Sequence, residues 1–208
     1  MSPGIEMTFG LMAAAFWSLL GILFVIGVVT GVAFFVTQKV REINAWRHGM
    51  KLFISGSSNI RVLSPEVMHI IDGFIAKGAE ILVGDCSGVD SAVQRYLAKV
   101  GYKNVTIYTS NATPRNDYVP GCCIISCNGE AIGLHGEAYY AVKDAAMTRD
   151  CDCALAVWDG VSRGTKMNIS RVKGMGKPCR VVTVSPEVRS CMNLLARART
   201  AQAQCAPA

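Results

Sequence analysis

The chain has 208 residues, 51% of them hydrophobic and 17% charged, with a formal net charge of +6. That length accommodates one domain with a substantial core and leaves no room for a second. The basic excess comes without any stripe of interleaved aromatic and basic residues, so no nucleic-acid partner is expected.

The first 38 residues contain no lysine or arginine and a single acid, Glu6, and residues 7–38 are 32 consecutive uncharged positions. A bilayer core of ~30 Å needs only about 20 such residues in a helix. A secretory signal peptide would have a basic start, a shorter apolar centre and a small-residue cleavage site; the start here is acidic and the run is too long. Residues 7–38 are therefore expected to be a retained transmembrane helix. The basic linker at 39–50 follows, with Lys39, Arg41 and Arg47 against Glu42, and Lys51 begins the next element. Positive charge beside a span stays in the cytoplasm, which predicts a single-pass protein of the inner (plasma) membrane, its N-terminus outside and its C-terminal domain cytoplasmic. Gly27 and Gly31, one turn apart, would let two such helices pack closely, so a second copy of the chain is an expected partner.

Nine cysteines in a reducing compartment are expected to stay as thiols. Cys122, Cys123 and Cys127 fall in one loop and Cys151 and Cys153 two apart. Neither grouping repeats the paired Cys-x-x-Cys spacing of a zinc site. No metal and no cofactor is expected.

Residues 51–199 read as an α/β domain. An apolar run at 51–55 breaks at Gly56-Ser57-Ser58, a strand into a loop. Ser64-Pro65-Glu66 supplies an N-cap with proline at the first helical position; Val67, Ile70, Ile71, Phe74 and Ile75 follow at helical spacing, and Gly78 ends the helix. The pattern repeats with a strand at 80–83, a loop at 84–88, and a helix whose face is Val89, Val93, Leu97 and Val100 before Gly101. A third strand at 104–108 leads into an irregular stretch from 109 to about 134, rich in Pro, Gly and Asn; connections that long are usually functional lids or mobile segments. A helix at 137–147, a strand at 153–158, a loop at 159–164, a helix through Asn168 to Lys173 and a strand at 179–184 complete the alternation. Ser185-Pro186-Glu187 opens a last helix, and residues 200–208 read as a disordered tail.

Short, near-continuous apolar strands alternating with amphipathic helices imply a parallel sheet covered on both faces. The expected fold is a doubly wound, five-stranded, Rossmann-like sheet, with ligand bound beyond the carboxyl ends of the strands where strand order reverses. Three loops should converge there: Gly56-Ser57-Ser58, Gly84-Asp85-Cys86-Ser87-Gly88-Val89-Asp90, and Asp159-Gly160-Val161-Ser162-Arg163-Gly164-Thr165. Each places glycine and small polar residues before a helix, whose unpaired N–H groups and dipole attract phosphate. None matches the Gly-x-x-x-x-Gly-Lys-Ser/Thr phosphate loop or the Gly-x-Gly-x-x-Gly dinucleotide fingerprint, which disfavours an ATPase or a nicotinamide dehydrogenase.

The order Phe53-Ile54-Ser55-Gly56-Ser57, Val83-Gly84-Asp85-x-x-Gly88-Val89-Asp90, Arg115-Asn116, Lys143-Asp144-x-x-Met147 and Trp158-Asp159-Gly160-x-Ser162-x-Gly164-Thr165 resembles the SLOG superfamily of Rossmann-like domains. That group is related to cytokinin-activating phosphoribohydrolases, the DNA-processing protein A fold and nucleoside deoxyribosyltransferases. The likeness implies a nucleotide or nucleotide-derived ligand, bound by a sensor or effector. Two departures count against the hydrolase branch: Asn168 stands where its signature has a glutamate, and Ser58 where many relatives have arginine. Cleavage of an N-glycosidic bond needs carboxylates at the reacting centre. Asp85, Asp90, Asp144 and Asp159 are the acids expected on the rim, with Asp144 and Asp159 the catalytic candidates. Each also has a structural reading: Asp90 as a cap, Asp85 ordering its own turn, Asp144 paired with Lys143. Arg115, Lys143 and Arg163 are the cations expected to meet phosphate. The leading expectation is a membrane-anchored nucleotide-binding sensor. An N-glycosidase or phosphoribohydrolase is the second, and a structural membrane subunit whose crevice is filled by side chains is the third.

Overall fold

Apolar residues on both faces of the central strands require cover on both sides of the sheet, and two sets of helices supply it. The computed structural model describes residue 24, residues 26–37, residues 49–188, and residues 190, 191 and 194. The elements are α1 (26–37), β1 (Lys51–Gly56), α2 (Pro65–Ile75), β2 (Glu80–Gly84), α3 (Val89–Lys99), β3 (Val105–Thr109), β4 (Cys123–Ser126), α4 (Asn128–Ala131), α5 (Gly136–Asp150), β5 (Cys153–Trp158), α6 (Arg163–Gly174) and β6 (Cys179–Thr183).

The strands form one parallel sheet in the order β4-β3-β2-β1-β5-β6. It has six strands rather than the five expected. The additional strand, β4, lies inside the 109–134 stretch, pairing Thr106 with Cys123 through Thr109 with Ser126. At four residues with every position exposed, it has neither the length nor the buried alternation by which strands are recognised. Its partner β3 supplies the order that its own sequence lacks.

In β1, Leu52 and Ile54 face one way, joining Val67 and Ile71 of α2 and Val89, Val93 and Leu97 of α3 in the larger core. Phe53 faces the other way, with Leu82, Tyr108, Met147 of α5 and Val172 of α6. Fully burying each large apolar side chain contributes roughly 1.5–3 kcal/mol. The expected caps are present: Ser64 accepts from the Val67 amide, with proline beside it, and Gly78 and Gly101 adopt φ of +73° and +71° after α2 and α3. Residues 186–188 are helical, as Ser185-Pro186 implies. Val100 is an exception: it is the C-cap of α3 and 47% exposed, not part of the buried face.

Strand order reverses between β1 and β5, since β2, β3 and β4 lie on one side of β1 and β5 and β6 on the other. The C-terminus of α5 is closed by a side chain from beyond α6. Lys177 Nζ donates to the carbonyls of Thr148, Arg149 and Cys151 at 2.8, 2.7 and 2.6 Å, groups that the helix itself leaves unpaired. A cation at a helix C-terminus is worth up to ~2 kcal/mol in partly buried geometry. Lys177→Ala is accordingly expected to lower stability by about 1–2 kcal/mol in urea unfolding followed by circular dichroism, and Lys177→Arg by less.

Of the expected span, α1 is described. It is helical and uncharged, with Ile26, Val29, Phe34 and Phe35 each more than half exposed. The Thr30 hydroxyl donates back to the carbonyls of Ile26 and Gly27. No helix among the described residues is long and apolar enough to cross a membrane. Residues 7–23, 25 and 38, the linker at 39–48 and the tail at 200–208 lie outside the described residues.

Candidate functional site

A parallel strand that ends beside a neighbour running to the opposite side of the sheet leaves a crevice above it. Here a cavity of about 230 Å³ lies above the ends of β1 and β2, walled by α5 and α6. Of the residues the sequence nominates, Gly56, Ser58 and Asp90 line it from the first two loops, and Lys143 and Asp144 from α5. Ser162, Gly164 and Thr165 line it from the start of α6.

The glycines of the second loop make this arrangement possible. A Cβ on Gly84 would lie within 2.5 Å of Asp90 Oδ2 and Lys143 Nζ. A Cβ on Gly88, where φ is +86°, would lie 2.4 Å from the Ser58 backbone, which joins the first two loops at contact distance. The first and third loops are tied by side chains: Ser57 Oγ donates to Asp159 Oδ1 at 2.9 Å and accepts from the Asp159 amide at 3.1 Å. Asp159 Oδ1 also accepts from the amides of Val161 and Ser162. Burial alone would raise the Asp159 carboxyl, but these amides and the Ser57 hydroxyl outweigh it and hold it below its ordinary value. Asp159 lies behind the cavity wall as the knot between two loops, and neither it nor Gly160 lines the cavity. The Trp158 indole secures the same loop by donating to the Ser162 carbonyl.

At the cavity floor is an ionic chain drawn from three elements. Lys143 is 2% exposed; its Nζ donates to Asp144 Oδ1 at 2.9 Å and lies 3.8 Å from Asp90 Oδ2. Asn168 Nδ2 donates to Asp144 Oδ2 at 2.9 Å, and Arg171 Nη1 to Asn168 Oδ1 at 2.7 Å. Asp90 also accepts from the Cys86 amide. Burial would lower Lys143, but the two carboxylates outweigh it and push the ammonium up, so it stays charged. For Asp90 burial wins over the ammonium and pushes the carboxyl up to about 6. The Asp90 and Asp144 carboxyls line the same cavity with the Lys143 ammonium between them.

Asp85, Arg115 and Asn116 stand apart from the cavity. Asp85 is fully buried and accepts from Arg115 Nε and Nη2, from the Arg115 amide and from the Thr109 hydroxyl. Burial would raise this carboxyl, but Arg115 and Thr109 hold it at about 2. Asn116 Nδ2 donates to the Asp85 carbonyl, and Gln94 bridges the Gly84 carbonyl and the Tyr118 amide. The first part of the long stretch is therefore bound to the second loop, and Arg115 has its charge matched by Asp85. Arg163 is 79% exposed and pairs with Glu137 at 3.5 Å. Among the described residues, no cluster of three His, Cys, Asp or Glu is placed to hold a metal.

Sequence reading did not nominate Tyr140, Met167 or Arg171, all of which line the cavity, and took Asn168 only as a departure from a motif. Helical spacing on α5 offers the one available signal: Glu137, Tyr140, Lys143 and Asp144 fall at i, i+3, i+6 and i+7, one face of the helix. Comparison with protein-family models, with curated proteins and with solved structures finds no match for this chain.

Proposed function

We propose that the domain binds a phosphate-bearing nucleotide or nucleotide-derived small molecule at the carboxyl edge of its sheet, as a SLOG-like sensor or effector held at the cytoplasmic face of a membrane. The observation that carries this reading is the open cavity at the point where strand order reverses, the place where doubly wound sheets hold their ligands. The start of α6 supports the phosphate half: Ser162, Gly164 and Thr165 line the cavity, and the Ser162 side chain makes no N-cap hydrogen bond to the helix, at an end whose dipole favours an anion. At about 230 Å³ the cavity is smaller than the ~300–1,000 Å³ of most ligand pockets, and suits a mononucleotide better than a dinucleotide. Anchoring rests on the 32 uncharged positions at 7–38 and the basic residues after them. A filled crevice would have favoured the docking-only reading, and the cavity counts toward a ligand instead.

Titration calorimetry of the full-length chain in detergent, against mononucleotides, cyclic nucleotides and ADP-ribose, tests the reading. Saturable binding is expected. Gly164 has open space around the position of a Cβ, so Gly164→Ala should bind as the parent does. Gly164→Asp should fold but lose affinity by tenfold or more, through like-charge repulsion of phosphate. A folded protein that binds none of the panel would end the proposal.

The glycosidase reading retains one favourable observation, two carboxyls, Asp90 and Asp144, lining the same cavity. Chromatography of the same incubations decides it: release of free base, abolished in Asp144→Asn, would make the domain an enzyme, and intact nucleotide would leave it a binder.

A further inference from the structure

A planar ligand needs a flat surface held still, and α5 presents one at this cavity. Tyr140 lines the cavity while remaining 43% exposed. Burial against neighbours therefore does not account for its ring, and the surface left open adjoins the cavity. The ring is nevertheless fixed. The Arg115 guanidinium lies over it, 4.8 Å from the centroid, and is itself locked by Asp85 through Nε and Nη2. The Tyr139 ring meets it edge-on at 5.3 Å and 86°, in the T-shaped arrangement that aromatic pairs favour. Tyr139 is anchored in turn, its hydroxyl 2.8 Å from both the Ser110 carbonyl and Asn111 Oδ1, acceptors that share its one proton. The buried Asp85 carboxylate and the loop after β3 thus act, through Arg115 and Tyr139, to hold an exposed aromatic ring at the mouth of the cavity.

The surroundings specify what the ring suits. Ala141 lines the cavity beside it, and Met167 of α6 lines it while 45% exposed, so both walls offer apolar surface. The polar groups Glu137, Asn168 and Arg171 line the same cavity. Apolar faces with a few polar groups at the rim match a heteroaromatic ring, which has π-faces and hydrogen-bonding edges. A sugar phosphate without a base would leave the Tyr140 ring and Met167 uncovered.

We propose that Tyr140 is the stacking platform for the ligand's aromatic base, and so determines that the site takes nucleotides in preference to base-free sugar phosphates. This inference rests on the nucleotide-binding reading above. The cation behind the ring strengthens the platform, because Arg115 fixes its orientation before the ligand arrives and reduces the ordering cost of binding.

The test compares purine and pyrimidine nucleoside 5′-monophosphates with ribose 5-phosphate by calorimetry, in the full-length parent and in Tyr140→Phe, Tyr140→Leu and Tyr140→Ala, each checked for folding by circular dichroism. Stacking on an aromatic side chain contributes ~1–3 kcal/mol per base. The parent should therefore bind at least one nucleotide about tenfold or more tightly than ribose 5-phosphate. Tyr140→Phe should retain that preference within about twofold, while the leucine and alanine variants should lose it and bind ribose 5-phosphate as the parent does. Equal affinity of the parent for nucleotide and ribose 5-phosphate would overturn the platform and leave the phosphate site standing. So would an alanine variant with undiminished nucleotide affinity. If the folded parent bound neither, the nucleotide reading and the platform would fall together.

Discussion

Lys143→Met is expected to be the most damaging single substitution in the domain, lowering stability by about 3–5 kcal/mol. The methionine fills nearly the same space, so packing is not the cause. The ammonium is 2% exposed and is the positive centre between Asp144 at 2.9 Å and Asp90 at 3.8 Å. Removing it leaves two carboxyls desolvated with no cation between them, and uncompensated buried charge is far costlier than a lost surface pair. The size of the loss should depend on pH. Burial already pushes Asp90 up to about 6, so below that value it takes up a proton and needs the ammonium less; the difference between parent and variant should narrow as pH falls from 7 to 5. Adding Asp144→Asn to Lys143→Met should restore part of the stability. Urea unfolding curves of the three proteins at both pH values decide the matter, and coincident midpoints for parent and Lys143→Met would show that the ionic chain contributes nothing.

Asp85→Ala is the second large effect, expected at about 2–3 kcal/mol, with the long stretch after β3 loosened. Five groups that donate to this carboxylate lose their acceptor together: the Thr109 hydroxyl, the Arg115 amide, Arg115 Nε and Nη2, and, at 3.5 Å, Asn111 Nδ2. The guanidinium side chain is 39% exposed and can rehydrate in part, which keeps the cost below that of Lys143→Met. The pH dependence has the opposite sign to that of Asp90. Asp85 titrates at about 2 in the folded protein against an ordinary 3.8. It therefore contributes stability that is present above about 3.8 and lost as pH falls through about 2. Asp90, raised from 3.8 to about 6, contributes stability that is present below 3.8 and lost as pH rises through 6. The parent should consequently resist mild acid and fail steeply only near pH 2–3, whereas Asp85→Ala should have lost that steep acid limb. Hydrogen exchange should locate the loosening in residues 110–118. A variant with unchanged acid unfolding and unchanged exchange there would remove Asp85 from its place as the anchor of this loop.

The chain's capacity to form a doubly wound sheet was legible because both signals are local. Phe53-Ile54 and Leu82-Val83 are continuous apolar pairs, and in a strand successive side chains point to opposite faces. Ser64-Pro65 and Gly78 bracket α2 by cap chemistry confined to one turn. The glycine loops could be placed on one edge because a parallel sheet directs every strand's carboxyl end the same way.

Partnership between side chains distant in sequence was not legible. Asp159 has the appearance of a ligand-binding acid until Ser57, 102 residues away, is found donating to it. Arg115 has the appearance of a phosphate cation until it is found paired with Asp85 and stacked on Tyr140. Asn168, a mere departure from a motif in one dimension, holds Asp144 in three. The strand β4 could be recognised only beside β3, because four exposed residues carry no periodicity of their own.

The amino-acid order by itself determined five of the six strands and the helices between them other than α4, which edge of the sheet collects the glycine loops, and where charge is withheld for 32 residues, since periodicity, capping and composition act within a few neighbours along the chain. Which acids face the cavity, which cation is buried between them and which aromatic ring is left open were decided by tertiary structure alone. Ion pairs and hydrogen bonds depend on distances of a few ångströms between atoms that only the folded sheet brings together.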